Sequence, residues 1–554
     1  MRMIETARDY DTMCKTFRWR RPERYNFAQD VVDRWALEDP HHRALHWVDE
    51  TGAQTILTFA DVARRSRCLC NLLTAAGVSR GEVVIVVLGR VPAWWEALTA
   101  CLRMGAVFSP GTLQLSSRDL AYRITSANAV CVITDDERAV LVDEIADSCP
   151  NLRTRIVVGR TRAGWIDYES GMGAASEDYQ TAATAADEPA ICFFTSGTTG
   201  YPKQCIHSHS YAIGHEITGY WLGLGKKDLH WNISDTGWAK AAWSSYFGPW
   251  NRGATVFVDG MPGFSAKRTL KLLQDHPITT MCGAPTVYRM LVQEDLQRCS
   301  FPALRHCVGA GEPLNPEVIG TWQRETGIAI HDGYGQTETT LLCGMFPGLP
   351  LRPGSMGKPA PGVHLAVIDE AGQPVVPGAE GDIAVRVEPI SPQGMFQTYR
   401  TIPGPAAHHV RKGWYVTGDR GRIDEDGYFW FVSRADDVIV SSGYRIGPFE
   451  VESALVEHPA VVESAVVSSP DETRGSVVKA FIVLAPGHRP SDELRRAIQE
   501  HVKRVTAPYK YPRRIEFVEE LPKTISGKIR RVELRRKEWE SADTTAAQEP
   551  QSLN

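Results

Sequence analysis

Ala190-Ile-Cys-Phe-Phe-Thr-Ser-Gly-Thr-Thr-Gly-Tyr-Pro-Lys203 opens as an apolar, aromatic run, breaks into hydroxyl residues and glycines, and closes on Pro-Lys. The first half reads as a buried strand and the second as the loop that leaves it. Glycines let backbone N–H groups converge on an anion, hydroxyl groups donate further bonds, and Lys203 supplies a positive charge. This is phosphate-binding chemistry. It is not a Walker A loop, because GxxxxGK[ST] is absent. A solvent-exposed Gly/Ser/Thr turn would share the composition but would not require this order.

Outward from this stretch, short apolar runs alternate with helical segments. Residues 83–88 form an apolar, β-branched run, and Pro92–Met104 reads as a helix with proline in its first turn and Gly105 just past its end. Further strands are expected at 129–134, 155–158, 190–194, 254–258, 279–282 and 305–308. Buried strands interleaved with helices predict an α/β chain whose mixed or parallel sheets are covered by helices on both faces. Near residue 420 the texture changes. Runs at 420–423 and 428–432 flank Asp424-Glu-Asp-Gly427, a hairpin signal. The polar stretch Ser433-Arg-Ala-Asp-Asp437 follows and marks the expected boundary between an N-terminal unit (1–434) and a second one (435–540). In the second unit, strand-like 461–467 and 477–484, a helix at 492–503 and strand-like 514–518 predict a compact α+β fold. Residues 541–554 are polar and unpatterned, and a disordered tail is expected there.

Composition removes several classes. A chain of 554 residues allows three or four domain-sized units. With 43% hydrophobic and 23% charged residues it can bury a large core, which excludes a mainly disordered chain or a fibre. A net charge of −5 predicts no general affinity for nucleic acid, and the apolar runs are too short for a transmembrane segment. The twelve cysteines form no CxxC pair and none follows Cys343, so free thiols in a reducing compartment are expected. Glu5, Asp9 and Asp11, with no apolar stretch beside them, suggest neither a secretory signal nor a transit peptide, which makes the expected location cytoplasmic. GxSxG and GxGxxG are both missing, disfavouring a serine hydrolase of that type and a dinucleotide-binding fold. His207 and His209 lack a third metal ligand and are read as support for the phosphate loop, and His41-His42 and His408-His409 as surface residues. Trp243, Tyr246 and Trp250 are read as packing.

The loop at 195–203 is one of an ordered set of motifs. The others are Asp235-Thr-Gly-Trp238, Gly283-Ala-Pro-Thr-Val-Tyr-Arg289, Gly309-Ala-Gly-Glu-Pro313, Gly333-Tyr-Gly-Gln-Thr-Glu338, Thr417-Gly-Asp419, Arg434-Ala-Asp-Asp437, Ser442-Gly-Tyr-Arg445 and Pro522-Lys-Thr-Ile-Ser-Gly-Lys528. In this order the set resembles the adenylate-forming enzymes (acyl-CoA synthetases, firefly luciferase and peptide-synthetase adenylation domains), with the closest likeness to the medium-chain acyl-CoA synthetases. The likeness runs over about residues 25–539.

The resemblance implies a large N-terminal body with a β-barrel-like subdomain, followed by a small mobile α+β domain. It also implies an AMP-forming acid–thiol ligase acting on a medium-chain or aromatic carboxylic acid with ATP, Mg2+ and coenzyme A. By the same resemblance, Thr195, Ser196, Gly197, Thr198, Thr199, Gly200 and Lys203 cradle the ATP phosphates. Gly309, Gly311 and Glu312 wall the adenine pocket, and Asp332, Gly333, Tyr334, Gly335, Gln336 and Thr337 lie along the nucleotide. Asp419 accepts from the ribose hydroxyls, with Arg434 beside it. Glu338 is the Mg2+ ligand, in keeping with that ion's preference for hard carboxylate oxygen. Lys528 offsets charge at the α-phosphate and acyl carboxylate and, with Glu338 and Thr337, is the expected catalytic group. Trp238, Thr337 and Arg445 are the expected acyl-side residues. Coenzyme A is expected at Gln114, Ser442, Gly443, Tyr444, Arg474, Lys503, Tyr511, Pro512 and Arg513.

Between Lys503 and Lys537 twelve Lys/Arg stand against four Glu, a basic run able to guide phosphates as well as form a solvated face. Asp436 is the expected hinge, turning the small domain between a pose that presents Lys528 and one that presents Ser442, Gly443 and Tyr444. The alternatives are a short- or branched-chain acid–CoA ligase and a catalytically lapsed nucleotide-binding regulatory protein. A lapsed copy would be expected to lack at least one of Lys528, Glu338 and Asp419. A homo-oligomer is compatible with the reading.

Overall fold

The computed structural model describes residues 10–195, 202–400, 410–441, 444–471, 474–523 and 529–546. Two large sheets dominate. The first has eight strands in the order Thr398–Tyr399, Lys203–Ser208, Pro189–Thr195, Val107–Pro110, Val83–Val87, Cys131–Asp135, Thr154–Val158 and Ile166–Asp167. Neighbours from Pro189–Thr195 to Ile166–Asp167 run parallel. Lys203–Ser208 instead turns back antiparallel to Pro189–Thr195 and sets Lys203 opposite Thr195. The expected phosphate loop therefore joins two antiparallel strands, unlike the strand-to-helix step of a Walker A motif. Its tip, 196–201, lies outside the described residues.

The second sheet has nine strands, with a parallel centre of Ile330–Gly335, His306–Ala310, Thr280–Gly283, Leu229–Ile233, Thr255–Asp259 and Arg43–Val48. Antiparallel strands close both of its edges. The strands expected between 83 and 310 are all present, because buried parallel strands read as continuous apolar runs. Every residue of Val83–Val87 is buried. So is every residue from Ala93 to Met104 of the Pro92–Met104 helix. A helix enclosed on all sides must partner its charges. Glu96 accepts from Arg65 Nε at 2.6 Å and from the Tyr168 hydroxyl, and Arg103 donates to both oxygens of Asp33 at 2.7 and 2.8 Å.

A third, five-stranded antiparallel sheet is formed by Leu365–Ile368, Glu380–Arg386, Trp414–Ile423, Val410–Arg411 and Phe429–Arg434. It is an open half-barrel rather than a closed one. The expected hairpin is here, with Asp424 Oδ1 accepting from the backbone N–H groups of Asp426 and Tyr428 at 3.1 and 2.9 Å. Beyond it the small unit pairs Val461–Asp471 with Gly475–Leu484 and adds Arg514–Phe517 in parallel. The helices Pro448–Val456, Asp492–Val505 and Arg531–Ala546 accompany this sheet.

Two expectations are corrected. The tail does not begin at 541, because the last helix runs on to Ala546; residues 547–554 lie outside the described residues. His42 is not a plain surface residue: its ring stacks on Phe59 with centroids 5.3 Å apart and its Nε2 donates to Gly253 O at 2.6 Å. His408 and His409 lie outside the described residues. All twelve cysteines are free.

Candidate active site

Ligands of open parallel sheets bind outside the carboxyl ends of the strands. In the nine-stranded sheet four of the six parallel strands end at Ile233, Gly283, Ala310 and Gly335, each at or just before one of the sequence motifs. The loop holding Asp235, Thr236, Gly237 and Trp238 crosses to the carboxyl end of the first sheet. A Cβ at Gly237 would stand 2.2 Å from Thr112 N, so only glycine allows this approach. Thr236 Oγ1 donates to Leu88 O, tying the same loop to the end of Val83–Val87.

Register brings two motifs side by side: Gly309 pairs with Asp332 and Ala310 with Gly333. Glu312, just beyond, accepts from Arg289 at 3.2 Å. Lys240, on the helical segment after Trp238, donates to Ala310 O at 2.8 Å. Asp332 is buried, and burial pushes its carboxyl up to about 8 against the pull of Gly333 N–H and Lys240. Gly335 is obligatory, since a Cβ there would meet Thr340 O at 2.3 Å and the Trp243 ring at 2.6 Å. Trp243, Tyr246 and Trp250 are buried packing residues, as expected.

The buried Asp419 gathers several of the residues expected along the nucleotide. Its Oδ2 accepts from the Tyr334 hydroxyl at 2.6 Å and from Gln336 Nε2 at 2.7 Å, and its Oδ1 accepts from Arg434 Nη1 at 2.9 Å. Burial and the adjacent Asp419 carboxylate push the Tyr334 phenol well above its ordinary value, so it keeps its proton and donates. Gln336 also donates to Thr417 O at 2.9 Å. A carboxylate offers about four lone-pair sites, and three are filled here.

Thr337 and Glu338 follow the strand end. The Thr337 carbonyl accepts from His207 Nε2 at 2.7 Å, and burial drives that imidazole down to about 3, so it is neutral. His207 thus supports the strand-end motif; the loop tip it is expected to support lies outside the described residues. Glu338 Oε1 accepts from the Tyr399 hydroxyl at 2.6 Å, while Lys203 Nζ lies 5.3 Å from the centre of the Tyr399 ring. Among the described residues no group of three or more His, Cys, Asp or Glu could hold a metal unaided. One hard carboxylate at Glu338, completed by substrate phosphates and water, fits the donor set Mg2+ takes.

The small unit carries the remaining expected residues. Lys503 Nζ and the Arg513 guanidinium lie 4.3 and 4.9 Å from the Tyr511 ring centre, Arg513 donates to the Tyr511 hydroxyl at 2.7 Å, and Pro512 O accepts from Gln499. Exposed Tyr444 stacks on Tyr509 with centroids 4.4 Å apart. Gln114 and Arg474 are exposed in loops. Trp238 is half-buried beside the second sheet, whereas Arg445 is exposed on the hairpin of the small unit and makes no side-chain hydrogen bond or ion pair among the described residues. Ser442, Gly443 and Lys528 lie outside the described residues. Near Lys528, Lys523 bridges to Ile529, and Arg531 pairs with Glu452. Burial opposes the charge of Arg531, but Glu452, Asp437 and Glu312 outweigh it and raise the group.

The model of the AMP-binding enzyme family matches residues 32–399, and that of the AMP-binding enzyme C-terminal domain matches 450–528. The chain belongs to the AMP-binding enzyme family, among its AMP-forming acyl-CoA synthetases. It is 51% identical over 542 residues to the mitochondrial acyl-coenzyme A synthetase ACSM3 of Mus musculus, covering 96% of this chain and 93% of that one. Against ACSM4 of Rattus norvegicus it is 50% identical over 529 residues, covering 94% and 91%. The crystal structure of the anthranilate CoA ligase AuaEII in complex with anthranoyl-AMP superposes with a TM-score of 0.86 at 30% identity, covering 95% of this chain and 99% of that one. Acyl-CoA synthetases of this family use ATP, Mg2+ and coenzyme A. The cytoplasmic expectation is overturned, because relatives sharing half their residues with this chain are mitochondrial proteins. No helix among the described residues is long and apolar enough to cross a membrane.

Sequence reasoning missed Tyr399, Lys240 and the bond of His207 to the Thr337 carbonyl. Each acts across more than sixty residues or across strands, and strand register is not written in local pattern.

Proposed function

We propose that this synthetase activates a medium-chain or aromatic monocarboxylic acid in fatty-acid or aryl-acid metabolism. The acid carboxylate attacks the ATP α-phosphorus and expels pyrophosphate; the thiol of coenzyme A then attacks the acyl carbon and expels AMP. The observation that carries the reading is the Asp419 network, which joins Tyr334, Gln336 and Arg434 at the carboxyl end of the second sheet. In this reading the network holds the ribose through the one lone pair of Asp419 that stays open. Gly309, Gly311 and Glu312 face the adenine, and Lys203 and the loop before it meet the phosphates. Glu338 would hold Mg2+, which neutralises phosphate charge when bound. Trp238 lines the acyl side, and Lys528 offsets charge as the carboxylate attacks.

The chain divides into a body to residue 434, a mobile unit at 435–540 and a hinge at Asp436. The Lys503, Tyr511 and Arg513 cluster receives coenzyme A phosphates. The relatives support a mitochondrial location. The AuaEII likeness supports keeping aromatic acids in the substrate class.

The test is a kcat/KM series over acids from acetate to dodecanoate with benzoate and anthranilate. Highest efficiency on a medium-chain or aryl acid is expected. Highest efficiency on acetate, propionate or a branched short acid selects the short-chain alternative, and no turnover with any acid selects the lapsed regulatory protein. One methylene changes discrimination by only about 1–3 kcal/mol, so the whole series is needed.

A further inference from the structure

We propose that Tyr399 is a positioning residue of the adenylation step: its hydroxyl fixes the Glu338 carboxylate and its ring face holds the Lys203 ammonium. The inference rests on the reading of Glu338 as the metal carboxylate and of Lys203 as a phosphate ligand.

Three observations place Tyr399 there. The Thr398–Tyr399 strand pairs antiparallel with Lys203–Ser208, setting Tyr399 opposite Cys205 and its ring beside Lys203. Three residues earlier, Phe396 N donates to Glu338 O at 2.8 Å, so the same segment grips the backbone of the residue whose side chain Tyr399 grips. The hydroxyl then reaches Glu338 Oε1 at 2.6 Å. One short segment therefore stitches the strand that carries Lys203 to the turn that carries Glu338.

The chemistry suits this role. Glu338 sits past the end of a strand, in a turn closed by Thr339 N donating to Gln336 O at 3.1 Å, where a glutamate side chain has several rotamers open to it. A phenol bonded to one oxygen selects one rotamer and turns the other oxygen toward a cation, as outer partners of metal-binding carboxylates do. A carboxylate oxygen can only accept, so the phenol hydroxyl is the donor in this bond. The ring meanwhile offers Lys203 a face that attracts an ammonium without neutralising it, leaving its charge for a phosphate.

The experiment compares the full-length wild type with Tyr399→Phe, Tyr399→Leu and Glu338→Gln. Binding of Mn2+·ATP is measured by calorimetry without acid, binding of ATP is measured in EDTA, and the two half-reactions are assayed separately. Y399F keeps the ring and loses only the hydroxyl. It is expected to weaken Mn2+·ATP binding and slow pyrophosphate exchange by about tenfold, the loss expected for one charge-assisted bond. ATP affinity in EDTA and thioester formation from supplied acyl-adenylate stay at wild-type values. Y399L is expected to weaken ATP binding in EDTA as well, because Lys203 loses its ring. Wild-type Mn2+·ATP binding by Y399F, or equal loss in both half-reactions, overturns the proposal when E338Q shows its metal defect. If E338Q itself binds Mn2+·ATP like the wild type, it is the metal reading of Glu338 that fails.

Discussion

Arg434 and Asp419 sit opposite one another on adjacent antiparallel strands and form an ion pair of 2.9 Å, and the same guanidinium reaches to 3.6 Å from Asp436. One side chain thus touches both the centre of the Asp419 network and the residue read as the hinge.

Removing the centre of that network gives the first prediction. Asp419→Ala leaves Tyr334 and Gln336 without their acceptor and Arg434 without its counter-charge. Loss of the one charge-assisted bond to the ribose, about 1.5–3 kcal/mol, corresponds to at least about tenfold in kcat/KM for ATP, while the KM for coenzyme A is unchanged. Steady-state kinetics with each substrate varied in turn checks the split.

The hinge reading makes a sharper demand. Proline at 436 fixes φ and stops rotation there. Asp436→Pro is expected to spare one half-reaction and cripple the other, with pyrophosphate exchange and thioester formation from supplied acyl-adenylate assayed independently. Equal loss in both sinks the hinge.

In the small unit buried Glu452 pairs with half-buried Arg531, its Oε1 accepting from Arg531 Nε at 2.8 Å and from Val466 N at 2.8 Å. Breaking a buried pair strands one charge and costs about 3–5 kcal/mol, whereas replacing both partners with apolar residues costs far less. Glu452→Leu and Arg531→Met should therefore each lower the melting temperature of the protein more than the double variant does.

Acid lability follows from the buried imidazoles. Burial drives His207, His230 and His306 down to about 3 and His209 to about 4, from an ordinary 6.5. Between those values the unfolded chain binds protons that the folded chain does not, so stability falls as the pH drops below 6.5, by up to about 1.4 kcal/mol per pH unit for each group. Asp332, raised to about 8, acts oppositely and costs stability as the pH rises from about 4 to 8. The melting temperature should peak near neutrality and fall steeply from pH 6.5 to 4. Both ring nitrogens of His209 lack hydrogen-bond partners among the described residues, so His209→Leu should blunt that fall. A flat profile down to pH 4 would contradict this.

Much of the fold was legible because burial on both faces leaves a plain mark. Residues 83–88 read as a strand, and Pro92–Met104 as a helix bounded by its proline and Gly105, from local sequence alone. The last helix was misread past 540, where Ser541, Asp543 and Thr544 carry no apolar stripe and the segment has weak helix propensity. In the site, the motif residues Gly309, Asp332 and Asp419 were legible as a set, and register then placed them together. Tyr399 left no local sign. It stands 61 residues from Glu338, and the pairing of Thr398–Tyr399 with Lys203–Ser208, together with the bond from Phe396 N to Glu338 O, brings the two together.

The most direct test of the central claim is product analysis by mass spectrometry after incubating the full chain with ATP, Mg2+, coenzyme A and octanoate or benzoate. AMP, pyrophosphate and the acyl-CoA are expected in equal amounts, and Lys528→Ala should abolish all three together. ADP and orthophosphate in their place, or nucleotide binding with no thioester from any acid, would contradict the assignment.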